Sequence, residues 1–161
     1  MSPRAAWRLE GLGFQQVNDY EGGKMDWLAF GLPAEGSDTA QPRIGDLTQR
    51  DVPRCSIDER LADLSGRMAA GWIWCAVVND AGILLGRIRR RQLDEQPDAR
   101  VEDAMENGPS TFRPSTPASE LLEKMKKSGR FETAFVTDSD GRLWGLVSRA
   151  SLEGALGEDR P

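Results

Sequence analysis

Histidine is absent from this 161-residue sequence, and cysteine occurs only twice. Without histidine, neither a Ser-His-Asp nor a Cys-His catalytic pair can be assembled, and zinc sites that use imidazole are excluded as well. Cys55 and Cys75 lie in apolar runs without a C-x-x-C partner, which predicts buried thiols in a reducing cytoplasm rather than a disulfide or metal ligands. These absences remove whole classes of enzyme, and we expect no catalytic residue and no metal ligand.

Long apolar runs are missing too. No stretch approaches the length of a membrane span, and the first residues lack the charged-then-apolar pattern of a signal peptide. The net charge of −5 disfavours nucleic acid and anionic membranes as partners, because both are polyanions. The length suits one compact domain with a proper core. We expect a cytoplasmic protein that contacts neither nucleic acid nor membrane.

One pattern of strand, turn, strand and helix occurs twice. In residues 134–156, two apolar runs flank the turn Asp138–Gly141, and Ser148 can cap the helix that follows. Asp138 and Asp140 are expected to form this turn rather than a catalytic or cation site. Residues 76–93 show the same order, and three positions recur at one constant spacing: Gly82 with Gly141, Gly86 with Gly145, and Leu93 with Leu152. A duplicated α/β unit explains this spacing.

A helix is predicted upstream of each hairpin. In the first copy Asp58 can cap a helix with Leu61, Leu64 and Met68 on its apolar face. In the second copy a helix begins at Thr116 and Pro117, and Gly129 ends it. Leu64 and Met68 match Leu121 and Met125 at a slightly shorter spacing than that of the hairpins, so a short insertion separates helix and hairpin in the second copy. Both methionines are predicted to be core residues.

These patterns divide the chain into three parts. Residues 1–43 form an N-terminal extension and linker, residues 44–94 the first motif, and residues 101–156 the second. In the extension we expect a short strand near residues 13–20, a short helix over 24–30 and a linker over 34–42. Residues 13–35 weakly resemble the last strand and helix of a rhodanese domain, but no cysteine precedes them, so no sulfurtransferase activity is expected.

The second copy carries V-x-D-A-M-x-x-x-P-x-T-x-x-P from Val101, then L-x-x-M, then F-V-T-D-x-D-G-x-L-x-G-L-V-S. It resembles a cystathionine β-synthase (CBS) domain, and the two copies together resemble the tandem CBS pair, or Bateman module. The resemblance implies an α+β fold with two β-α-β-β-α motifs packed with pseudo-twofold symmetry. It also implies a homodimer, and adenosine-type ligands (AMP, ADP, ATP or S-adenosylmethionine) in clefts between the motifs.

The resemblance also indicates which residues line a ligand cleft. In the family, the helix after the hairpin starts T/S-x-x-D, with the hydroxyl at an anion-favouring helix N-terminus and the aspartate on the ribose hydroxyls. Here Ser151 and Gln92 stand at the two aspartate positions, and arginines at the helix start can hold a polyphosphate. We expect one cleft with Ser148 and Arg149 on one side and Arg89 and Arg90 on the other. The full expected set is Ser148, Arg149, Ser151, Arg89, Arg90, Gln92 and Thr111.

Each of these assignments has a structural alternative. The arginines can instead face solvent or pair with nearby carboxylates such as Asp94 and Glu95. Trp72, Trp74 and Trp144 can stack on adenine, although large aromatic side chains in strands usually belong to a core or an interface. Two functions are compatible with the sequence. The first is a regulatory module that binds an adenosine-type ligand and modulates an enzyme or transporter. The second is a ligand-free protein–protein adaptor. No cofactor is required by either interpretation.

Overall fold

The computed structural model describes residues 3–18, 20, 23–30, 32–33, 41–68, 71–129 and 131–157. The chain divides into two compact units, Met1–Ala40 and Gln41–Pro161. The first unit contains two helices, α1 (Pro3–Gly11) and α2 (Gly23–Ala29). α2 confirms the short helix predicted there, and most of the predicted linker lies outside the described residues.

The strand predicted near residues 13–20 is wrong for the part of that segment that the structure describes. The amides of Gly13 and Phe14 instead donate to the carbonyls of Glu10 and Leu9, which closes the end of α1. Gly13 adopts a positive φ of 96° in this turn, a conformation that glycine accepts without steric cost. The segment therefore serves as a helix end. The side chains of Trp7 and Phe14 remain 74% and 60% exposed.

The described part of the second unit has two sheets, in strand order β1-β2-β3-β4 and β5-β6-β7. The first sheet contains β1 (Arg54–Cys55), β2 (Trp74–Val78), β3 (Leu84–Arg89) and β4 (Glu106–Asn107). The second contains β5 (Thr111–Phe112), β6 (Thr133–Thr137) and β7 (Leu143–Ser148). The helices are a 3-10 helix (Leu61–Leu64), α3 (Arg90–Glu95), α4 (Val101–Ala104), α5 (Ala118–Ser128) and α6 (Arg149–Gly157). The α+β class is confirmed.

The two sheets repeat each other down to their irregularities. Val77 pairs with Gly86 in the first hairpin, and Val136 pairs with Gly145 in the second, with a bulge directly after each valine. Each hairpin is joined by a parallel strand on the same side, β1 beside β2 and β5 beside β6. Their turns also match, because the side chains of Asn79 and Asp138 each accept two backbone amides. The duplication and the turn-forming role of Asp138 are confirmed.

The helix predicted from Asp58 to Met68 is wrong in its start and its type, because only a 3-10 helix over Leu61–Leu64 forms. The carboxylate of Asp58 pairs with Arg100 at 3.2 Å instead of capping. Backbone groups of the segment between the two motifs, residues 95–100, compete for the same amides, since the amides of Leu61 and Ala62 donate to the carbonyls of Ala99 and Pro97. This linker between the motifs therefore supplies the hydrogen bonds that a first helical turn would have made.

The segment that enters each motif packs on the other motif. Ile44 is fully buried in the core of the second sheet, together with Leu121 and Val147. Val101, which begins the second motif as Ile44 begins the first, is fully buried in the core of the first sheet with Ile88. This reciprocal exchange ties the two halves together through their hydrophobic cores.

The cores confirm most of the predicted buried residues. Met68 and Met125 are 0% and 1% exposed and lie in corresponding places of the two cores. Cys55 and Cys75 are free thiols in the first core. A hydrogen bond between the two thiols and burial both raise the pKa of Cys55, so it remains a neutral apolar packing group. Among the described helices, none is long and apolar enough to cross a membrane.

Candidate ligand-binding clefts between the two halves

Two open clefts lie side by side between the motifs. The first, here called the serine cleft, has a volume of about 290 Å³. Its described lining includes Gln49, Trp72, Trp74, Leu146, Ser148 and Ser151. The second, here called the arginine cleft, has a volume of about 400 Å³. Its described lining includes Trp74, Arg87, Arg89, Phe112, Phe131 and Thr133.

The two clefts occupy corresponding places in the duplicated fold. Ser148 corresponds to Arg89, and Thr133 corresponds to Trp74, at the spacing that relates the two hairpins. These residues are cross-strand partners, Trp74 with Arg89 and Thr133 with Ser148. Trp74, Thr133 and Ile73 line both clefts. The structure therefore places the predicted serines in one cleft and Arg89 in an adjacent cleft that shares a wall with it, while Arg90 and Arg149 are in neither described lining.

The serine cleft contains a pair of hydroxyl groups at the start of α6. The Ser148 hydroxyl accepts the backbone N–H of Ser151 at 3.1 Å, and the two hydroxyl oxygens lie 2.8 Å apart. Ser148 thus caps α6 as its sequence predicts. Because either hydroxyl can donate to the other, the pair can present both a donor and an acceptor to the cleft.

The opposite edge of the serine cleft is a backbone bridge. Gln49 and Leu146 exchange backbone hydrogen bonds of 2.8 and 3.0 Å, which brings the segment entering the first motif against β7. A Cβ atom on Gly145 would lie only 2.1 Å from the Gln49 carbonyl oxygen. The close approach that Gly145 permits is therefore made by the chain itself rather than by a ligand.

In the arginine cleft, two guanidinium groups pair with one carboxylate. Glu106 on β4 accepts hydrogen bonds from Nε of Arg87 and Nε of Arg89, each at 2.8 Å. Both guanidinium groups lie over the ring of Trp74, with Cζ 4.0 and 4.6 Å from its centroid. Burial acts to raise the pKa of Glu106, but the two arginines outweigh it and hold that pKa below its ordinary value. The carboxylate is thus ionised and pairs with both guanidinium groups.

Three other predicted site residues have structural partners or lie outside both clefts. Gln92 accepts the backbone N–H of Arg89 at 2.7 Å and donates to the Ala104 carbonyl at 2.6 Å. Arg90 donates to the carbonyl of Met68. Thr111 is an exposed residue of β5 beside Phe135 and lines neither cleft as described.

The guanidinium group of Arg149 forms ion pairs with two carboxylates of the protein. It pairs with Glu153 at 2.9 Å and with Glu132 at 3.4 Å. The hydrogen bond and charge of Glu153, supported by Glu132, raise the pKa of Arg149 despite its exposure. Arg149 is therefore committed to a surface ion-pair cluster, which is the structural alternative weighed for the arginines.

Two residues of this region were missed by sequence reasoning, Gln49 beside the serine cleft and Glu106 beside the arginine cleft. They are separated by the same spacing as Leu64 and Leu121, the pair that relates the two upstream helices. Extending that spacing through the entry segments would have paired them. What the spacing does not reveal is that each entry segment crosses to the other motif, so each residue meets the cleft formed by the opposite hairpin.

Residues 101–158 match the CBS domain family. No curated protein sequence matches the chain. Solved structures with the same fold are numerous, and three illustrate the range. The cytosolic domain of the Mg²⁺ channel MgtE in complex with ATP has a TM-score of 0.64 at 20% identity. CBSX2 in complex with AMP, a protein of Arabidopsis thaliana, has a TM-score of 0.61 at 19% identity. The CBS domain pair of protein MJ0100, in complex with 5′-methylthioadenosine and S-adenosylmethionine, has a TM-score of 0.62 at 16% identity.

The coverage of these matches differs. The alignment to MgtE covers 73% of this chain but 51% of the other, so the chain spans about half of that cytosolic domain. It spans 98% of CBSX2 and 99% of the MJ0100 pair, with 73% and 74% of its own length aligned. At these identities the likeness establishes a shared fold. It leaves the ligand of each cleft to be argued from this chain's own residues.

Proposed function

We propose that this chain is a non-catalytic regulatory module, because residues 101–158 match the CBS domain family and the chain has the fold of a CBS pair. Its ligand is an adenosine-type small molecule held in the serine cleft. No cofactor is required, and the bound ligand is the signal. The relatives that bind ATP, AMP, 5′-methylthioadenosine and S-adenosylmethionine in this fold support an adenosine-type ligand.

The observation that carries this proposal is the hydroxyl pair of Ser148 and Ser151 beside two tryptophans in an open cleft. Ribose hydroxyls need hydrogen-bond partners, and adenine needs an apolar or aromatic surface. Trp72 and Trp74 supply that surface within the same cleft. The volume of about 290 Å³ lies just below the range for small-molecule sites, roughly 300–1,000 Å³. A nucleoside suits this space better than a dinucleotide.

The partner and the assembly belong to the same proposal. We expect a homodimer that modulates a separate enzyme or transporter, in the cytoplasm, where the two free thiols stay reduced. The match to the cytosolic domain of a Mg²⁺ channel supports the idea of a module that acts on another functional unit. Sedimentation equilibrium of the purified chain tests the dimer, with a monomer at all concentrations as the contrary result.

The ligand is tested by calorimetry and thermal unfolding with adenosine, AMP, ATP and S-adenosylmethionine. A ligand at about a hundred times its dissociation constant should stabilise the native state by about 2.7 kcal/mol. Ser148→Ala should weaken binding about tenfold or more, since it removes a hydroxyl from the cleft; Ser148→Thr should retain most of the affinity. Ser139→Ala, an exposed serine in the hairpin turn, is the matched control.

A second candidate function is a ligand-free adaptor between proteins. The observation in its favour is the arginine cleft, whose guanidinium groups are already satisfied by Glu106. The ribose-binding aspartate of the family is also replaced in both copies, by Ser151 and Gln92. The same titrations decide between the two, because an adaptor shows no heat and no stabilisation with any of the nucleosides or nucleotides.

A further inference from the structure

The described lining of the serine cleft carries no charged side chain. Its side chains are neutral amide, hydroxyl, aromatic and aliphatic groups, among them Gln49, Trp72, Thr133, Leu146 and Ser151. A polyphosphate site in a protein normally offers lysine or arginine side chains or free backbone amides. This cleft therefore differs in kind from a site built for a nucleotide's phosphates.

The backbone amides at the start of α6 do not make up for this. The amide of Arg149 donates to the Glu132 carbonyl at 2.8 Å, and the amide of Ser151 donates to the Ser148 hydroxyl at 3.1 Å. Two of the first amides of the helix are thus already used within the protein. The helix start can orient hydroxyl groups in the cleft, but it has little donor capacity left for an anion.

Basic residues next to the lining residues have partners within the protein. Arg50, which follows Gln49, lies over the ring of Trp144, with Cζ 4.4 Å from its centroid. Arg149, which follows Ser148, pairs with Glu132 and Glu153, and Lys126 pairs with Glu153 at 4.0 Å, so this cluster of two cations and two carboxylates has no net charge. Glu132 itself is described in the lining of the arginine cleft.

The arginines on the other side of the shared wall already have a carboxylate partner as well, because Arg87 and Arg89 both pair with Glu106. Among the described residues, a phosphate placed in the serine cleft would lose water without gaining a counter-charge from the lining.

We infer that the serine cleft selects adenosine-type ligands without a phosphate group. This rests on the proposed function and narrows its ligand class. The preferred molecules carry a neutral or positively charged group at the 5′ position, such as a hydroxyl, a thioether or a sulfonium. The hydroxyl pair serves the ribose, the tryptophans serve the base, and the described lining offers a phosphate no counter-charge.

The test compares dissociation constants for adenosine, 5′-methylthioadenosine, S-adenosylmethionine, AMP and ATP by calorimetry at low and moderate salt. We expect the three phosphate-free ligands to bind at least tenfold more tightly than AMP, with ATP weaker still. Salt should change the gap little, because the ion-pair cluster beside the cleft has no net charge to screen. AMP or ATP binding as tightly as adenosine would overturn this inference and leave the proposed function standing. Binding of none of the five would overturn the proposed function as well.

A variant separates electrostatic selection from a simple lack of space. Glu132→Gln takes one of its two carboxylate partners from Arg149, the residue after Ser148, at nearly constant volume, so AMP affinity should rise severalfold while adenosine affinity stays unchanged. Glu123→Gln, an exposed carboxylate on α5 that lines neither described cleft, is the control and should change neither. Equal AMP affinities in wild type, Glu132→Gln and Glu123→Gln would count against the charge argument.

Discussion

The serine cleft and the arginine cleft are built from corresponding residues of a duplicated unit, yet they hold opposite kinds of chemistry. Where the arginine cleft has Arg89 paired with Glu106, the serine cleft has Ser148 and Gln49. The backbones correspond, since Gln49 bridges Leu146 just as Glu106 pairs with Arg87. What separates the clefts is the charge of a few side chains on one backbone plan.

The difference shows how the arginines of one of two corresponding clefts can be neutralised by a carboxylate of the protein itself. In the arginine cleft a carboxylate from the crossing segment satisfies two guanidinium groups, and those groups cover the ring of Trp74. Such an internal ion-pair network competes with any external anion. In the serine cleft the corresponding positions are neutral, so polar groups face the cleft without a built-in partner charge.

The strongest test of the shared backbone arrangement is to add a methyl group at each of the two corresponding glycines, Gly145 and Gly86. Gly145→Ala places Cβ 2.1 Å from the Gln49 carbonyl oxygen, which forces the crossing segment off β7 and breaks its two backbone hydrogen bonds. We expect a loss of about 3 kcal/mol or more in the free energy of unfolding, measured by urea denaturation.

Gly86→Ala should cost less, about 1–2 kcal/mol. Its Cβ would meet Sδ of Met105 at 2.8 Å and the Glu106 carbonyl oxygen at 2.9 Å, and the methionine side chain can move aside. Gly154→Ala, in α6 with nothing within 4 Å, is the control and should be neutral or stabilising by up to about 1 kcal/mol. A loss at Gly86 as large as that at Gly145 would contradict the looser fit of the arginine side.

The sequence was sufficient for the local parts of this plan. The cap at Ser148, the helix end at Gly129 and the turn at Asp138 follow from interactions within a few residues, and each is present. The helix expected from Asp58 failed because its amides are used by the linker between the motifs, which is distant along the chain. Rules of periodicity and capping consider only neighbouring residues, so they cannot predict a competition from a distant segment.

The clefts were harder to predict, for a related reason. Sequence spacing identified Ser148 and Arg89 as corresponding residues, but not that they face different clefts. Nor did it identify Glu106 as the partner of Arg89, where Asp94 and Glu95 were nearer along the chain. Both facts depend on the crossing of the entry segments, which is a tertiary event with no local pattern.

A second test removes the internal anion from the arginine cleft. Glu106→Gln leaves two guanidinium groups without a charged partner, so we expect a loss of about 1 kcal/mol, modest because the side chains involved are 27–38% exposed. The variant should also gain stabilisation by inorganic phosphate that wild type lacks. Thermal unfolding with and without phosphate measures this.

Glu102→Gln, an exposed carboxylate on α4, serves as the control for the loss of one negative charge. It should show neither the destabilisation nor the phosphate response. If both variants respond to phosphate alike, the response comes from the change in net charge and not from the release of Arg87 and Arg89. The conclusion that Glu106 keeps these arginines from binding an anion then has to be abandoned.

The smallest expected effect is the acid sensitivity of that network. The arginines hold the pKa of Glu106 below its unfolded value of about 4.3, so its stabilisation is complete above that pH and is lost as pH falls toward the folded pKa. The stability difference between wild type and Glu106→Gln should thus be constant from pH 7 to about 5. It should shrink by a few tenths of a kcal/mol below pH 4, as urea denaturation can measure. Glu59, whose pKa Arg67 also lowers, cancels in this subtraction because both proteins contain it. A difference that stays constant down to pH 3 would mean that Glu106 carries no pairing energy, and the contrast between the two clefts would then lie in shape rather than in charge.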